Sequence, residues 1–234
     1  MSDEGRRRVR VAIDGPAGAG KSTVARALAE RLGYLLLDTG ALYRTVALAA
    51  QRASIPWEDE ARVGRLAEDL VTCRRLVIER CEGVGMRMRL DGDDVSLAIR
   101  APDISAGASR VSSYPMVRAA LLDMQRREGA EGGVVLEGRD IGTVVFPDAE
   151  AKFFLTASAE IRARRRYEEL VERGRADSYE STLAEVESRD KADTERTIAP
   201  LRQAGDAIVV DSSHREVKDV VEEMARVVEA RGRG

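Results

Sequence analysis

The sequence is poor in the residue types that build most metal centres and nucleophilic sites. Its 234 residues include two cysteines, Cys73 and Cys81, and a single histidine, His214. Zinc and iron–sulfur centres need clustered cysteine or histidine ligands, and no such cluster occurs in the sequence. We expect both thiols to stay reduced in the cytoplasm. His214 falls in a polar loop, which favours a surface position over a catalytic one.

Long apolar runs are missing as well. No run approaches the roughly 18 residues of a membrane-spanning helix, and the N-terminal segment lacks the apolar core of a secretory signal. The net charge of −3 argues against a general nucleic-acid-binding surface. Lysine stands at only four positions, and we attribute the abundance of arginine to codon usage in a GC-rich genome. We therefore expect a cytoplasmic protein with neither a membrane nor nucleic acid as a partner.

The most informative stretch is rich in glycine and lies near the start of the chain. Residues Gly15–Ser22 match the pattern G-x-x-x-x-G-K-[ST]. Alternating apolar residues before it predict a strand, and apolar residues at helical spacing after it predict a helix. Strand, glycine loop and helix together favour a phosphate-binding loop over a plain Gly/Ala turn. Backbone N–H groups and the helix start would bind phosphate, Lys21 would reach the terminal phosphates, and a hydroxyl would ligate Mg²⁺.

Further short apolar segments end in polar residues. The segment 35–37 leads to Asp38 and Thr39, either of which can cap the following helix, and 134–136 leads to Glu137–Asp140. Strands are also predicted at 151–156 and 207–210. Because the carboxyl ends of parallel strands gather functional residues, we expect these polar residues near the phosphate loop. Arg44 lies one turn into the second helix and is either part of that edge or a solvated arginine.

The middle of the chain has a different texture. A helix around 58–70 precedes two alternating runs at 75–80 and 86–90, and a turn at Asp91-Gly92 precedes 95–97. The pattern predicts a small antiparallel sheet inserted into the α/β arrangement. Ser112 or Ser113 with Pro115 predicts the start of the next helix.

An arginine-rich segment precedes the last strand. A helix capped by Ser158 carries four arginines, and a second polar helix, 181–189, leads into 190–196. Few apolar positions anchor these helices. They suit a mobile flap over an active site, and a solvated helical hairpin is the alternative.

Four segments resemble the bacterial cytidylate kinase family, a branch of the P-loop nucleoside monophosphate kinases. They are 15–23, 38–44, 137–149 and 189–201, and the similarity runs in order from about Val9 to Val228. The string GRD-x-GTVVFPDA and the inserted sheet are the most specific signs, because related adenylate and uridylate kinases lack both.

This resemblance implies an α/β fold, the three-layer P-loop NTPase sandwich with a central parallel sheet, a β insert in the NMP-binding region and a helical lid. It implies one domain, with core segments at about 8–56, 108–157 and 200–230, the insert at 57–107 and the lid at 158–199. The implied reaction transfers the γ-phosphoryl group of ATP to CMP or dCMP with Mg²⁺, in a monomer. A UMP- or shikimate-type kinase is the nearest alternative. A slow nucleotide-dependent switch is another, although the guanine-reading N-K-x-D pattern is missing.

The resemblance also implies roles for individual residues. Thr23 matches the family, while Ser22 stands where glycine is common, so either hydroxyl could face Mg²⁺; the loop register favours Ser22. Thr39 stands where serine is frequent. The implied ATP-binding residues are Gly15, Pro16, Ala17, Gly18, Ala19, Gly20, Lys21, Ser22 and Thr23. The implied substrate-binding residues are Ser109, Arg118 and Asp140 for cytosine, Arg189 and Asp193 for the sugar, and Thr39, Arg44, Arg139 and Arg196 for the acceptor end. Lys21, Arg139, Arg196 and lid arginines among Arg162, Arg165 and Arg166 would stabilise the transferred group.

Overall fold

The computed structural model describes residues 8–81, 83–172, 174 and 178–233. Its strands are β1 (Arg10–Asp14), β2 (Leu35–Asp38), β3 (Leu76–Arg80), β4 (Met86–Leu90), β5 (Asp93–Asp94), β6 (Val134–Gly138), β7 (Ala151–Thr156) and β8 (Ile208–Asp211). Its α-helices are α1 (Lys21–Leu32), α2 (Thr39–Arg52), α3 (Glu60–Thr72), α4 (Pro102–Val111), α5 (Pro115–Gly129), α6 (Ala159–Glu172), α7 (Tyr179–Glu195) and α8 (Val217–Arg231). A 3₁₀ turn covers Ala98–Arg100 and a π-helical turn covers Ile141–Val145.

Five parallel strands form the main sheet, in the order β2-β6-β1-β7-β8. Both faces are covered, as is usual for parallel sheets. Val11 and Ile13 of β1 face one apolar cluster, to which α1 and α8 contribute. Ala12 faces the opposite cluster, which includes Leu136 and Phe146. The predicted central parallel sheet between helical layers is therefore confirmed.

The register of the sheet brings the polar strand ends to one edge. Asp14 lies opposite Gly138 across β1 and β6, and Asp38 lies opposite Glu137 across β2 and β6. The chain leaves β1 for β2 while β6 fills the place between them. Such a crossover opens a crevice at the carboxyl ends of the strands, where ligands bind in open α/β sheets.

The smaller sheet is antiparallel, with the order β3-β4-β5. It confirms the predicted insert, but its third strand is Asp93–Asp94 rather than residues 95–97. Asp91 and Gly92 both have positive φ, 53° and 88°, and form a two-residue turn. Asp93, directly after this turn, therefore already pairs with Leu90 of β4. The carboxylate of Asp94 then accepts the N–H of Ser96 and turns the chain away. At the other end of the hairpin, the carbonyl of Val84 accepts the N–H of Leu36 on β2, 2.8 Å away.

Two helix boundaries differ from the sequence expectation. The N-cap of α5 is Tyr114, because the hydroxyls of Ser112 and Ser113 instead donate to carbonyls of α4, a helix not predicted from the sequence. The second lid helix, α7, is capped by Ser178 and continues to Glu195. Residues 173 and 175–177, within the predicted lid, lie outside the described residues. Among the helices of the described ranges, none has the length and apolar character needed to span a bilayer.

Candidate active site

Three positions in the loop between β1 and α1 have backbone conformations that favour glycine. Gly15 has a φ of 151°, and a Cβ there would lie 2.0 Å from the carbonyl oxygen of Leu155. Gly18 and Gly20 have left-handed φ values of 77° and 84°. This curl precedes the unpaired N–H groups of the first turn of α1, which together form a site suited to phosphate.

Three side chains hold this loop by its carbonyl groups. Lys21 Nζ donates to Pro16 at 2.6 Å, Arg162 Nη1 to Ala17 at 3.1 Å, and Ser212 Oγ to Ala19 at 3.0 Å. Burial lowers the pKa of Lys21 to about 7, and the nearby charge of Arg139 adds to the effect. The charges of Glu137 and Asp14 act in the opposite direction, and the net pKa of Lys21 still lies well below its usual value. The loop is therefore fixed before ligand binding.

An acidic group lies beside the helix start. Glu137, at the end of β6, is buried, and its Oε1 has no hydrogen-bond partner among the described residues. Burial, together with the neighbouring charge of Asp38, raises the pKa of Glu137 to about 7. A cavity of about 390 Å³ is lined by both carboxylates and by Ser22. A buried carboxylate with an unused oxygen fits a partner that the protein alone does not supply.

The predicted cytosine-reading residues form a compact buried pair. Arg118 Nη2 contacts Asp140 Oδ2, and both side chains are more than nine-tenths buried. Arg118 also donates to the carbonyl of Ser112 at 3.1 Å, and its guanidinium lies 5.6 Å from the ring centre of Tyr43. Ser109 lies on α4, one turn before Ser112. The structure thus brings Arg118 and Asp140 together, with Ser109 on the adjoining helix.

The predicted phosphate- and sugar-binding residues surround the same edge. Arg44 pairs with Asp38 at 2.5 Å, and Arg139 pairs with Asp193 at 2.8 Å. Arg196 Nη2 lies 3.9 Å from Asp140 Oδ1. Arg44 Nε and Arg196 Nη2 are buried without a hydrogen bond in the described part of the chain. Buried guanidinium donors without partners indicate that an anion belongs here.

Two further predicted residues, Thr39 and Arg189, differ in how far they are buried. The hydroxyl of Thr39 is buried and donates to the carbonyl of Glu137 at 2.7 Å, so it holds the start of α2 to the end of β6. Arg189 lies on α7 at the water-facing rim. Partial desolvation lowers the pKa of Arg189, and the charges of Arg139, Arg166 and Arg44 lower it further. The four guanidinium groups therefore lie close enough for their charges to interact.

The three candidate lid arginines differ in their present contacts. Arg162 is buried and forms a two-pronged pair with Asp190 of α7, with one contact at 2.9 Å. Arg165 donates to the carbonyl of Ser212 at 2.7 Å. Arg166 is about two-fifths exposed and contacts Glu169 at 3.3 Å. Arg162 thus joins both lid helices to the phosphate loop, while Arg166 is the one whose guanidinium is least engaged.

The fold and this edge define a class of protein, the P-loop phosphotransferases. A family model described as "Cytidylate kinase" matches residues 11–230. The chain belongs to the cytidylate kinase family. A cytidylate kinase from Geobacter sp. (strain M21) is 52% identical over 94% of this chain and 93% of its own. One from Geobacter sulfurreducens is 50% identical over 100% of this chain and 98% of its own. Among solved structures, a gluconokinase from Sinorhizobium meliloti 1021 aligns with a TM-score of 0.49 at 16% identity, covering 97% of this chain and 95% of that one.

Several residues of this edge received no individual role from the sequence. Asp14, Tyr43 and Asp190 make buried or paired contacts with other residues of the site. Glu137 was expected near the phosphate loop, but without a function of its own. Asp14 directly precedes the phosphate loop and Glu137 directly precedes Gly138. Their positions at the ends of predicted strands were the only feature of the sequence that could have indicated a function for them. Tyr43 and Asp190 act across elements distant in sequence, which no local pattern reveals.

Proposed function

We propose that this protein transfers the γ-phosphoryl group of ATP to CMP and dCMP, yielding ADP with CDP or dCDP. The observation that carries the proposal is the register of β1 against β6, with Asp14 opposite Gly138. This register sets the phosphate loop beside Arg139 and Asp140. A donor triphosphate on the loop and an acceptor nucleotide at Asp140 would then meet across a short gap.

The chemistry of the Arg118–Asp140 pair supports an amino-pyrimidine as the acceptor base. A carboxylate accepts from the exocyclic amino group of cytosine, and a guanidinium donates to the ring nitrogen or carbonyl. The hydroxyl of Ser109 is a further acceptor on the adjoining helix. Uracil would place a carbonyl where Asp140 offers another acceptor, leaving two buried acceptors opposed.

The catalytic contribution would come from position and charge. The phosphate of CMP is already ionised, so the reaction needs no strong general base. Lys21 and the loop amides would bind the donor phosphates, while Arg44, Arg139 and Arg196 would bind the acceptor phosphate. A lid arginine, Arg162 or Arg166, would cover the transferred group and exclude water, which is a competing acceptor.

The residues beside the loop also fit a magnesium ion. No cluster of three or more histidine, cysteine, aspartate or glutamate side chains suited to a metal occurs in the described ranges. Magnesium in such enzymes is held largely by phosphate oxygens and water, so few protein ligands suffice. The exposed hydroxyl of Ser22 would bind the ion, and the unpartnered Oε1 of Glu137 would accept from its water. The ion would neutralise charge on the phosphates during transfer.

We further propose that the enzyme works in the cytoplasm as a monomer. The free thiols Cys73 and Cys81 suit a reducing compartment. Light scattering coupled to size-exclusion chromatography would test the monomer, for which we expect a mass near 25.6 kDa.

The decisive test is an ADP-release assay with ATP and each nucleoside monophosphate, with and without Mg²⁺. We expect rapid ADP formation with CMP and dCMP, slower formation with UMP, and little without an acceptor. Equal phosphate release in the absence of any monophosphate would favour a nucleotide-dependent switch. A preference for UMP or for a non-nucleotide acceptor would replace this proposal with the corresponding kinase.

A further inference from the structure

The π-helical turn Ile141–Val145 begins directly after Asp140. A helical turn leaves its first N–H groups without partners inside the helix, and here these N–H groups are buried. Both are satisfied from another part of the chain. Asp14 Oδ1 accepts the N–H of Ile141 and Asp14 Oδ2 accepts that of Gly142, each at 2.7 Å.

Asp14 is itself the last residue of β1 and the residue before Gly15. Its side chain is buried, and burial raises the pKa of Asp14 to about 6, so it is charged at neutral pH. A buried carboxylate is costly unless several donors surround it, and two backbone N–H groups supply that here. Because burying a charged carboxylate lowers stability, its presence beside the phosphate loop points to a role beyond packing.

We propose that Asp14 is a positioning residue, which sets Arg139 and Asp140 for the acceptor by fixing the turn that follows them. The inference deepens the proposed function and rests on it. Asp14 would not touch either nucleotide. It would act by holding the start of the turn, and so the backbone that carries the base-reading carboxylate.

The two sides of the site depend on Asp14 to different degrees. The phosphate loop has its own anchors in Lys21, Arg162 and Ser212, described above. The Asp140 side chain is held by Arg118, and the backbone at the start of the turn is held by Asp14. The far end of the turn is held by Arg126, which donates to the carbonyls of Val144 and Val145 at 3.0 Å each. The charge of Asp14 also raises the pKa of Lys21, but no hydrogen bond joins Asp14 to Lys21 in the described chain. Because its two direct hydrogen bonds go to the turn, loss of the Asp14 carboxylate should disturb the acceptor side more than the donor side.

Arg126 provides a matched control. Asp14→Asn and Arg126→Ala each weaken a two-bond attachment of the same turn, at opposite ends. An amide at position 14 has one acceptor oxygen, and its NH₂ group faces one of the backbone donors. If the attachment serves stability alone, the two variants should behave alike. If it positions Asp140, only Asp14→Asn should change base discrimination.

The experiment measures kcat and KM for CMP and UMP at saturating ATP, and ATP affinity by calorimetry without an acceptor. We expect Asp14→Asn to lower kcat/KM for CMP by roughly 10²-fold, as for a displacement of about 1 Å in a reacting group. The CMP:UMP ratio should fall, while ATP affinity should change by no more than about threefold. Arg126→Ala should keep the ratio. In an Asp140→Asn background, Asp14→Asn should lower the ratio no further.

Hydrogen exchange provides a readout independent of activity. The amides of Ile141 and Gly142 should exchange faster in Asp14→Asn than in wild type or Arg126→Ala. If Asp14→Asn does not fold, as judged by circular dichroism, Asp14→Glu displaces the carboxylate by one methylene and replaces it in every comparison. An unchanged CMP:UMP ratio, or equal losses in both variants, would overturn the inference. Failure of the wild type to phosphorylate CMP would instead reject the proposed function, with the exchange result still reporting on the attachment.

Discussion

At the scale of single residues, the site contains buried charged groups, several of which keep atoms without a hydrogen-bond partner in the described chain. Lys21 is buried with a pKa lowered to about 7 by burial, and Glu137 keeps an oxygen without a partner in the described chain. Arg44 and Arg196 each keep a buried nitrogen in the same condition. A bound nucleotide and its cation would supply the missing partners, so binding should relieve a cost that folding has already incurred.

The first residue-scale prediction concerns Lys21. Replacing it in Lys21→Met removes the ammonium from the phosphate loop while keeping a chain of similar length. We expect turnover to fall by roughly 10²-fold or more, as for the loss of one charge that stabilises the transition state. Steady-state ADP release measures it, with Lys191→Met on the exposed face of α7 as the control. Turnover near that of wild type would remove Lys21 from the catalytic role.

A second prediction concerns Asp140. Asp140→Asn replaces one acceptor oxygen of the proposed base-reading carboxylate with a donor and removes the charge of the buried pair with Arg118. We expect KM for CMP to rise and discrimination against UMP to fall, while ATP affinity is retained. Because a buried guanidinium loses its partner, the free energy of unfolding should also fall, by about 3 kcal/mol. Titration with each nucleotide separates these effects, and equal losses of CMP and ATP affinity would contradict a base-reading role.

At the scale of elements, the lid is tied to the core through Arg162. Its guanidinium contacts the phosphate loop at Ala17 and the carboxylate of Asp190 on α7, so a single buried side chain joins three segments. The sequence suggested that arginines in this region would bind the transferred group. Arg162 instead joins α6, α7 and the phosphate loop, so any movement of the two helices away from the loop would have to break its contact with Ala17.

The lid pair gives a prediction with an internal control. Asp190→Ala leaves the Arg162 charge buried and unpaired, and should lower the free energy of unfolding by about 3 kcal/mol or more. Glu169→Ala breaks the exposed pair with Arg166 and should cost less than about 1 kcal/mol. Urea unfolding compares the two. Similar small losses in both would show that the Arg162–Asp190 contact does not hold the lid in solution.

Elements with a strong local pattern were predictable, and those set by distant contacts were not. The phosphate loop has glycines, a lysine and flanking apolar periodicity, so β1 and α1 could be placed closely. Helix α4 was missed although its buried residues, Ile104, Gly107, Ala108 and Val111, recur at helical spacing. Two of these four positions hold small residues, so the apolar stripe is weak in the sequence. The extent of α7 was underestimated because its polar C-terminal half, around Asp190 and Asp193, is ordered by contacts with Arg162 and Arg139 rather than by an apolar face. The roles of Asp14 and Glu137 depend on strand register, which the sequence does not specify locally.

At the scale of the whole molecule, the buried carboxyl groups of the site lower the free energy of unfolding once they are ionised. Burial raises the pKa of Asp14 to about 6 and that of Glu137 to about 7, above the ordinary values of 3.8 and 4.5. These two carboxyl groups therefore hold more protons in the folded protein than in the unfolded chain between about pH 4 and pH 7. These two groups should make the ligand-free protein less stable as the pH rises through this range.

This linkage gives a measurable prediction. Between pH 5 and pH 8, ionisation of Glu137 should reduce the free energy of unfolding by about 2 kcal/mol. Glu137→Gln removes that contribution, so its stability should fall less over the same interval and exceed that of the wild type at pH 8. Its activity should fall, because the proposed cation site loses a carboxylate. Urea unfolding at both pH values measures the difference, and parallel losses in wild type and variant would refute the assignment.

The contact between the Val84 carbonyl and β2 has a consequence for solubility. β2 borders the main sheet, and a border strand with open backbone donors invites pairing with strands of other molecules. The tip of the β3–β4 hairpin occupies one of those donors, on Leu36, and shields the strand beside it. The insert therefore also protects β2 against self-association, and we expect that shortening the hairpin would expose this edge and promote aggregation.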